Sequence, residues 1–215
     1  MIFDKKISKK NSIYLLQVNA IKLNSKNPFN WSSGWKSPIY CDNRLVLSYP
    51  EIRSFIVNEI SKKIKSLYKS DFFIAGVATG AIGLGALIAE QTNAPFIYVR
   101  PEPKKHGRKN QIEGVNPKGK KVVIIEDLIS TGLSSIKVFK TLKKEGAEIL
   151  AMFSIFDYGF EISKKNFDQI NLSSYSLTDY KTLIETAIEL KYIKKDEVQN
   201  LMDWRLNPSK WKSIN

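Results

Sequence analysis

Four short runs of the chain, DFFIAGV (71–77), FIYV (96–99), KKVVIIED (120–127) and AEILAMFSIFD (147–157), carry apolar side chains without polar alternation. A strand that shows one face to water alternates with period two, so runs like these belong inside a sheet covered on both faces. Between them lie segments with helical spacing. Residues 51–69 place Ile52, Phe55, Ile56, Ile60, Ile64 and Leu67 on one stripe, with Pro50 suited to a first turn. AIGLGALIAEQ reads as a helix despite its glycines, and SSIKVFKTLKKEG as an amphipathic helix stopped by Gly146. Buried strands alternating with helices predict an α/β fold, a parallel twisted sheet with helices on both faces. With 215 residues and 43% apolar composition, the chain can bury one full core, and a single domain accounts for it. Its parts are expected to be an N-terminal segment over 1–45, a core over 46–160, and a C-terminal strand and helices over 161–215.

A net charge of +13 invites a nucleic-acid reading, but the charge is not evenly spread. From Arg100 to Lys121 eight Lys or Arg stand against only Glu102 and Glu113. A second basic scatter, at Lys191, Lys194 and Lys195, is offset by Asp196 and Glu197 and reads as a solvated helix face. The N-terminal MIFDKKISKKNSIYLL lacks an apolar run of signal-peptide length, and no stretch approaches the roughly 18 apolar residues of a membrane span. The single cysteine, Cys41, excludes an intramolecular disulfide and a cysteine-clustered metal site. The expectation is a soluble, cytoplasmic protein without membrane association, in which the sequons at Asn30 and Asn171 are accidental.

The third run ends on two adjacent carboxylates, Glu126-Asp127, and leads through Leu128-Ile129 into Ser130-Thr131-Gly132-Leu133-Ser134. In parallel sheets, ligands sit beyond the carboxyl ends of the strands, where loops lead into helices. Backbone amides around Ile129 to Leu133 can turn toward an anion at the start of the following helix, and the hydroxyls of Ser130, Thr131 and Ser134 add donors. That combination is a phosphate cradle. The carboxylates must then face something other than phosphate. The economical ligand is a ribose whose 2′,3′-diol donates to the acids while its 5′-phosphate lies in the turn, with Mg²⁺ attracted directly or through water.

These residues resemble the phosphoribosyl-pyrophosphate (PRPP) signature of type I phosphoribosyltransferases: four apolar residues, two acids and a small hydroxylated turn. A second stretch, NWSSGWKSPIYCDNR from Asn30 to Arg44, is similar to the hood that orotate phosphoribosyltransferases place over the pyrimidine. Gly34 and Pro38 set tight turns there, Tyr40 offers a flat face for stacking, and Lys36 with backbone amides can answer a carboxylate. A third stretch, RPEPKKHG from Arg100 to Gly107, resembles the family's mobile catalytic loop. Its prolines and glycines disfavour a helix, and about 20 residues is long for a structureless connection, which points to a lid. As the anomeric bond to pyrophosphate breaks, negative charge grows on the leaving group. A cationic lid stabilises that state and excludes water.

The resemblance covers about residues 20 to 160 and implies the type I phosphoribosyltransferase fold with a small N-terminal hood. It implies Lys104, His106 and Asp127 as catalytic residues. For PRPP it implies Arg100, Lys104, Lys105 and His106, the span from Glu126 to Ser134, and Thr79 with Gly80 after the first strand. For orotate it implies Ser130, Tyr40, Lys36 and the region of Tyr158. Mg²⁺ would lie at Asp127 and Glu126, held through water and PRPP. A homodimer that shares the basic loop between subunits, and no nucleic-acid partner, complete the expectation. The activity implied is phosphoribosyl transfer from PRPP to N1 of orotate. A purine-base phosphoribosyltransferase and a non-catalytic PRPP-binding regulator of nucleic acid are the alternatives.

The chain departs from the family pattern in three places. Pro101 stands where some members carry a lysine, so one pyrophosphate contact is missing or falls to Lys105. Tyr158 stands near where others hold the orotate carboxylate with an arginine, which leaves that role to the hood and Ser130. Leu133 replaces a small residue at the end of the cradle. Two glycine patterns are decoys. Gly114 to Lys121 fits a P-loop only superficially, because it lacks the following Ser or Thr and leads into a strand. Gly80-Ala-Ile-Gly83-Leu-Gly85 reverses the dinucleotide-binding spacing.

Overall fold

The computed structural model describes residues 1–31, 34–69, 71–102 and 111–211. The catalytic-loop candidates Lys104, Lys105 and His106 lie outside these residues, as does Ser33 of the hood.

Five parallel strands form the sheet: β5 (Phe72–Val77), β6 (Phe96–Val99), β8 (Lys121–Ile129), β9 (Glu148–Asp157) and β10 (Ser174–Asp179). A short β7 (Ile112–Glu113) runs antiparallel to β6, giving the order β10-β9-β8-β5-β6-β7. The connection after Val99, expected to be structureless, therefore ends in a strand. Gln111 turns back and its carbonyl accepts from the Arg100 amide at 2.8 Å, which brings the two ends of this connection together.

The apolar runs do what their lack of alternation requires. Val122, Val123, Ile124 and Ile125 are all fully buried, together with Ile74, Phe153 and Phe156 on the neighbouring strands. Each such side chain removed from water contributes about 1.5–3 kcal/mol before the entropy of ordering the chain is counted. Helix α2 (Pro50–Leu67) starts on the expected proline and packs on α3 (Ile82–Thr92), which covers β5 and β6. Helix α4 (Leu133–Lys144) packs on β9 and against α5 (Glu161–Gln169). Gly146 takes φ +82 just beyond α4, the left-handed geometry that ends a helix.

One boundary differs from expectation. Strand β8 does not stop at the acid pair but continues to Ile129, because Leu128 and Ile129 keep pairing with Phe156 and Asp157 of β9. The acids therefore stand on the rigid end of a strand instead of at the head of a loop.

Residues before the hood are part of the sheet's packing. Met1 to Phe3 run beside β10, with the Phe3 amide donating to the Ser176 carbonyl at 3.2 Å and the Ser176 amide to that of Met1 at 2.9 Å. Helix α1 (Lys5–Gln17), capped by Asp4, packs on β10 and on α6 (Tyr180–Glu189). This contact is polar although it is buried. Ser8 Oγ donates to Thr178 Oγ1 at 3.0 Å, Ser12 Oγ lies 2.7 Å from the same oxygen, and Asn11 Nδ2 donates to the Ile155 carbonyl at 3.1 Å. The hood is built from two small antiparallel pairs, β1 (Ile21–Leu23) with β4 (Ile39–Cys41) and β2 (Phe29–Asn30) with β3 (Lys36–Ser37). The last helix among the described residues is α7 (Val198–Leu206).

Replacing Thr178 with Val keeps its volume but strands the Ser8 hydroxyl and takes one of two partners from Ser12, which still donates to the Ser8 carbonyl. Thr178→Val should lower unfolding free energy by about 1–3 kcal/mol in a denaturant titration. An unchanged midpoint would show that this polar seam contributes nothing.

Candidate active site

The strand order fixes where a ligand can go. After β5 the chain crosses through α3 to β6, and after β8 it crosses through α4 to β9, on the opposite side. At the carboxyl ends of the neighbouring strands β5 and β8 the two connections diverge, leaving a crevice. Both candidate anion turns lie there.

The first turn, Ala78 to Ala81, follows β5. Ala78 N donates to the Val99 carbonyl and Ala81 N to that of Val77, whereas the amides of Thr79 and Gly80 have no carbonyl partner among the described residues. A Cβ built on Gly80 would lie 2.6 Å from Asp127 Cγ, so only glycine lets this turn close on the acid pair. Arg100 comes to the same end of the sheet from β6. Its Nε is buried and without a partner among the described residues, a donor in want of an acceptor.

The second turn, Ser130 to Ser134, leads into α4. Gly132 caps that helix at φ +78 with no side-chain hydrogen bond, and the amides of Thr131 to Ser134 donate to no carbonyl among the described residues. Uncapped amides at a helix start present the positive end of its dipole to an anion. A Cβ on Gly132 would also meet Phe167 Cε1 at 2.9 Å. Leu133 is 59% exposed and lies at the rim, leaving the cradle open, while the Ile129 side chain is core and has only its backbone to offer.

The two acids are not equivalent. Glu126 is 4% exposed; its Oε2 accepts from the Ser135 hydroxyl at 3.3 Å and its Oε1 from the Asp127 amide at 3.2 Å. Burial, then the Asp127 charge, push the Glu126 carboxyl well above the ordinary value of 4.5. Asp127 is half-buried, accepts from the Leu128 amide at 3.0 Å, and faces Gly80. Its carbonyl accepts from Asn43 Nδ2 at 2.8 Å, a bond across 84 residues that ties the hood to the acid pair. Asn43 in turn accepts from Cys41 Sγ at 3.2 Å. Burial, with Asp127 and Asp42 nearby, holds the Cys41 thiol well above its usual range, so it stays protonated and is no nucleophile.

Between hood and cradle lies a cavity of about 630 Å³ whose walls are Trp31, Trp35, Tyr40, Leu128 and Tyr158, with Ser130 at the cradle end. Tyr40 is 43% exposed and tilts against Phe29 at 5.7 Å between centroids, so its outer face is free to stack on a planar ring. Tyr158 is buried and contributes wall but little open surface. Lys36 is exposed on β3 and pairs with Asn30, which lines the cavity, but Lys36 itself is not among the lining residues. A larger cleft, about 800 Å³ around Met1, Lys164 and Asp168, contains none of the candidate residues and mixes charges of both signs.

Of the expected residues, Thr79, Gly80, Arg100, Glu126, Asp127 and the turn from Ser130 to Ser134 come together at one crevice, and Tyr40, Ser130 and Tyr158 share the adjoining cavity. Sequence reading missed Trp31 and Trp35, although both lie inside the quoted hood stretch, and missed Ser135, whose position in the first turn of α4 was the available signal. It also missed Asn43, which no local pattern marks.

A family profile described as "Phosphoribosyl transferase domain" matches residues 49–187. The chain is 48% identical over 205 residues to an orotate phosphoribosyltransferase of Cytophaga hutchinsonii, covering 95% of this chain and 98% of that protein. Among solved structures it resembles the UMP synthase of Leishmania donovani, with TM-score 0.78 and 25% identity over 94% of this chain and 42% of that one. It also resembles the orotate phosphoribosyltransferase of Aeropyrum pernix, with TM-score 0.72 and 28% identity over 85% of this chain and 99% of that one.

The raised Glu126 carboxyl has a consequence for stability. Its folded value lies above its unfolded value, so its contribution is full below about 4.5 and is lost as pH rises through the folded value. Glu126→Gln removes that loss. Its melting temperature should exceed that of the parent protein at pH 8, and by less at pH 5. An equal or lower melting temperature at pH 8 would show that the charged carboxylate is well accommodated.

Proposed function

The chain belongs to the phosphoribosyl transferase domain family, among the orotate phosphoribosyltransferases, and from that premise we propose how it transfers the 5-phosphoribosyl group of PRPP to N1 of orotate. The products are orotidine 5′-phosphate and pyrophosphate, a step of pyrimidine biosynthesis. The observation that carries the assignment of roles is the crevice in which two turns of unpartnered amides flank one half-buried carboxylate, Asp127.

The amides of Thr131 to Ser134 grip the 5′-phosphate. Those of Thr79 and Gly80, with Arg100, receive the pyrophosphate, which would satisfy the orphaned Arg100 Nε. Asp127 accepts from the ribose diol at the mouth of the crevice, and Glu126 supports it from behind. As the bond from C1′ to the pyrophosphate oxygen breaks, the sugar gains positive character that Asp127 stabilises. The lone pair of the N1 anion of orotate forms the bond to C1′, and the electron pair of the broken C1′–O bond leaves with pyrophosphate. Lys104, Lys105 and His106 close over that leaving group. Orotate reacts as its N1 anion, so no dedicated base is required.

Among the described residues no cluster of three or more His, Cys, Asp or Glu forms a metal cage. Two carboxylates beside an anion cradle do suit a hard cation that takes its remaining oxygens from substrate and water. Asp127, with Glu126 behind it, would hold Mg²⁺ in this way. When bound, the ion supplies charge neutralisation to the departing pyrophosphate.

The base lies in the aromatic cavity against Tyr40, with Ser130 and Lys36 answering its carboxylate. A homodimer that exchanges the basic loop, and a cytoplasmic setting, belong to the same reading. No helix among the described residues is long and apolar enough to cross a membrane.

The test mixes purified protein with PRPP, Mg²⁺ and orotate and follows the loss of orotate absorbance. Asp127→Asn and Gly80→Ala should each lower turnover by about 10²-fold or more, the scale of losing one preorganised electrostatic contact, with the fold retained by circular dichroism. Orotate consumption that is unchanged in both variants would refute the assigned roles, and consumption of adenine or hypoxanthine in place of orotate would refute the substrate.

A further inference from the structure

The walls of the base cavity are not self-supporting. Trp31, on the hood, and Tyr158, just past β9, meet edge to face at 5.3 Å, and both rest on a third ring that does not line the cavity. That ring is Trp204 of α7, fully buried, 5.4 Å from Trp31 and 5.9 Å from Tyr158. Its Nε1 donates to the Lys36 carbonyl on β3 at 3.2 Å, a bond spanning 168 residues. The neighbouring Arg205 holds the other wall: Nε donates to the Tyr158 carbonyl at 3.2 Å and Nη2 to that of Gly159 at 3.0 Å. Gly159 takes φ +66, and a Cβ there would lie 3.2 Å from Arg205 Nη2, so the backbone is shaped to receive the guanidinium. Just before α7, Glu197 accepts from Ser25 Oγ at 2.6 Å and ties the same C-terminal segment to the far end of the hood.

Few other bonds hold the hood strands to the core. Lys36 and Ser37 form only a two-residue strand paired with Phe29 and Asn30, and an isolated two-stranded ribbon is marginal in water. Trp31 Nε1 donates to the Ile39 carbonyl at 3.1 Å, which braces the hood internally but does not dock it. Beyond the burial of Ile21 and Ile39 in the core, hydrogen bonds dock the hood through Asn43 at the acid pair and through α7 at the base cavity. The two anchors serve different ends of the site. Asn43 reaches the PRPP acids; Trp204 and Arg205 reach the walls of the base cavity, with Trp204 also packing on Phe160 and Tyr180 and Arg205 also bonding Gly159.

We propose that α7 is a clamp for base recognition, in which Trp204 and Arg205 are positioning residues that set the spacing between the hood and the Tyr158 wall. This rests on the reading of the cavity as the orotate pocket. It separates two functions that the crevice otherwise merges: PRPP is held by the sheet, and the walls around the base are held by α7, which follows the sheet's last strand, ending at Asp179, and begins at Val198.

Trp204→Phe keeps an aromatic ring against Trp31 and Tyr158 but loses the donor to Lys36. Arg205→Gln loosens the opposite wall with less packing at stake and serves if the first variant fails to fold. In each, KM for orotate should rise about 3- to 10-fold, the scale of one lost hydrogen bond, while KM for PRPP and the dissociation constant of PRPP·Mg²⁺ measured by calorimetry stay within about twofold. Unchanged orotate KM in both variants would overturn the clamp. So would equal rises in both KM values, which mark general loosening of the fold. Wild-type protein inert toward orotate would instead refute the reading of the pocket, and the clamp with it.

Discussion

The site depends on one topological constraint: the strands that follow each other across the middle of the sheet, β5 and β8, send their helices in opposite directions. Two turns are thereby left side by side with their amides unspent, and no other pair of neighbouring strands here offers that. The remaining local features accommodate the crevice. Gly80 is bare because Asp127 Cγ stands 2.6 Å from where a Cβ would be, and Gly132 is required twice over, by its left-handed φ and by Phe167 2.9 Å from where its Cβ would be. The pairing of β8 with β9 through Ile129 makes the acids part of the sheet, so their placement is as rigid as the core beneath them.

Rigidity has an electrostatic cost. Glu126 is placed where water hardly reaches, next to a second carboxylate, with a serine hydroxyl and a backbone amide as its main compensation. A buried acid so poorly compensated is a poor choice for stability and a sensible one for a site whose ligand brings hydroxyls and a cation. Arg100 shows the same pattern in the opposite sign, with a buried donor left open beside the first turn. Both read as groups whose partners arrive with substrate.

What the sequence made legible was chemistry compressed into short stretches. The acid pair, the hydroxylated turn and the four apolar strands could be read because their partners are sequence neighbours or the generic interior of a sheet. Helix α1 could not, and the strand expected within 161–215 could not be placed, since the buried faces of α1 and β10 carry Ser8, Asn11, Ser12, Ser176 and Thr178, which erase the apolar stripe that marks a core helix or strand. Asn43 and Trp204 were invisible for a different reason: each acts through one hydrogen bond to a backbone carbonyl 84 or 168 residues away, and a carbonyl has no sequence signature. The end of β8 was misplaced because polar side chains at a strand tip resemble a loop until the neighbouring strand is known.

The central claim is that Asp127 takes the ribose hydroxyls while the turn before α4 takes the 5′-phosphate. A crystal structure with PRPP and Mg²⁺ bound tests it directly. The account predicts phosphate density within hydrogen-bonding distance of the amides from Thr131 to Ser134, and ribose hydroxyls on Asp127. Density for the ligand elsewhere, with Asp127 facing only solvent, would contradict it.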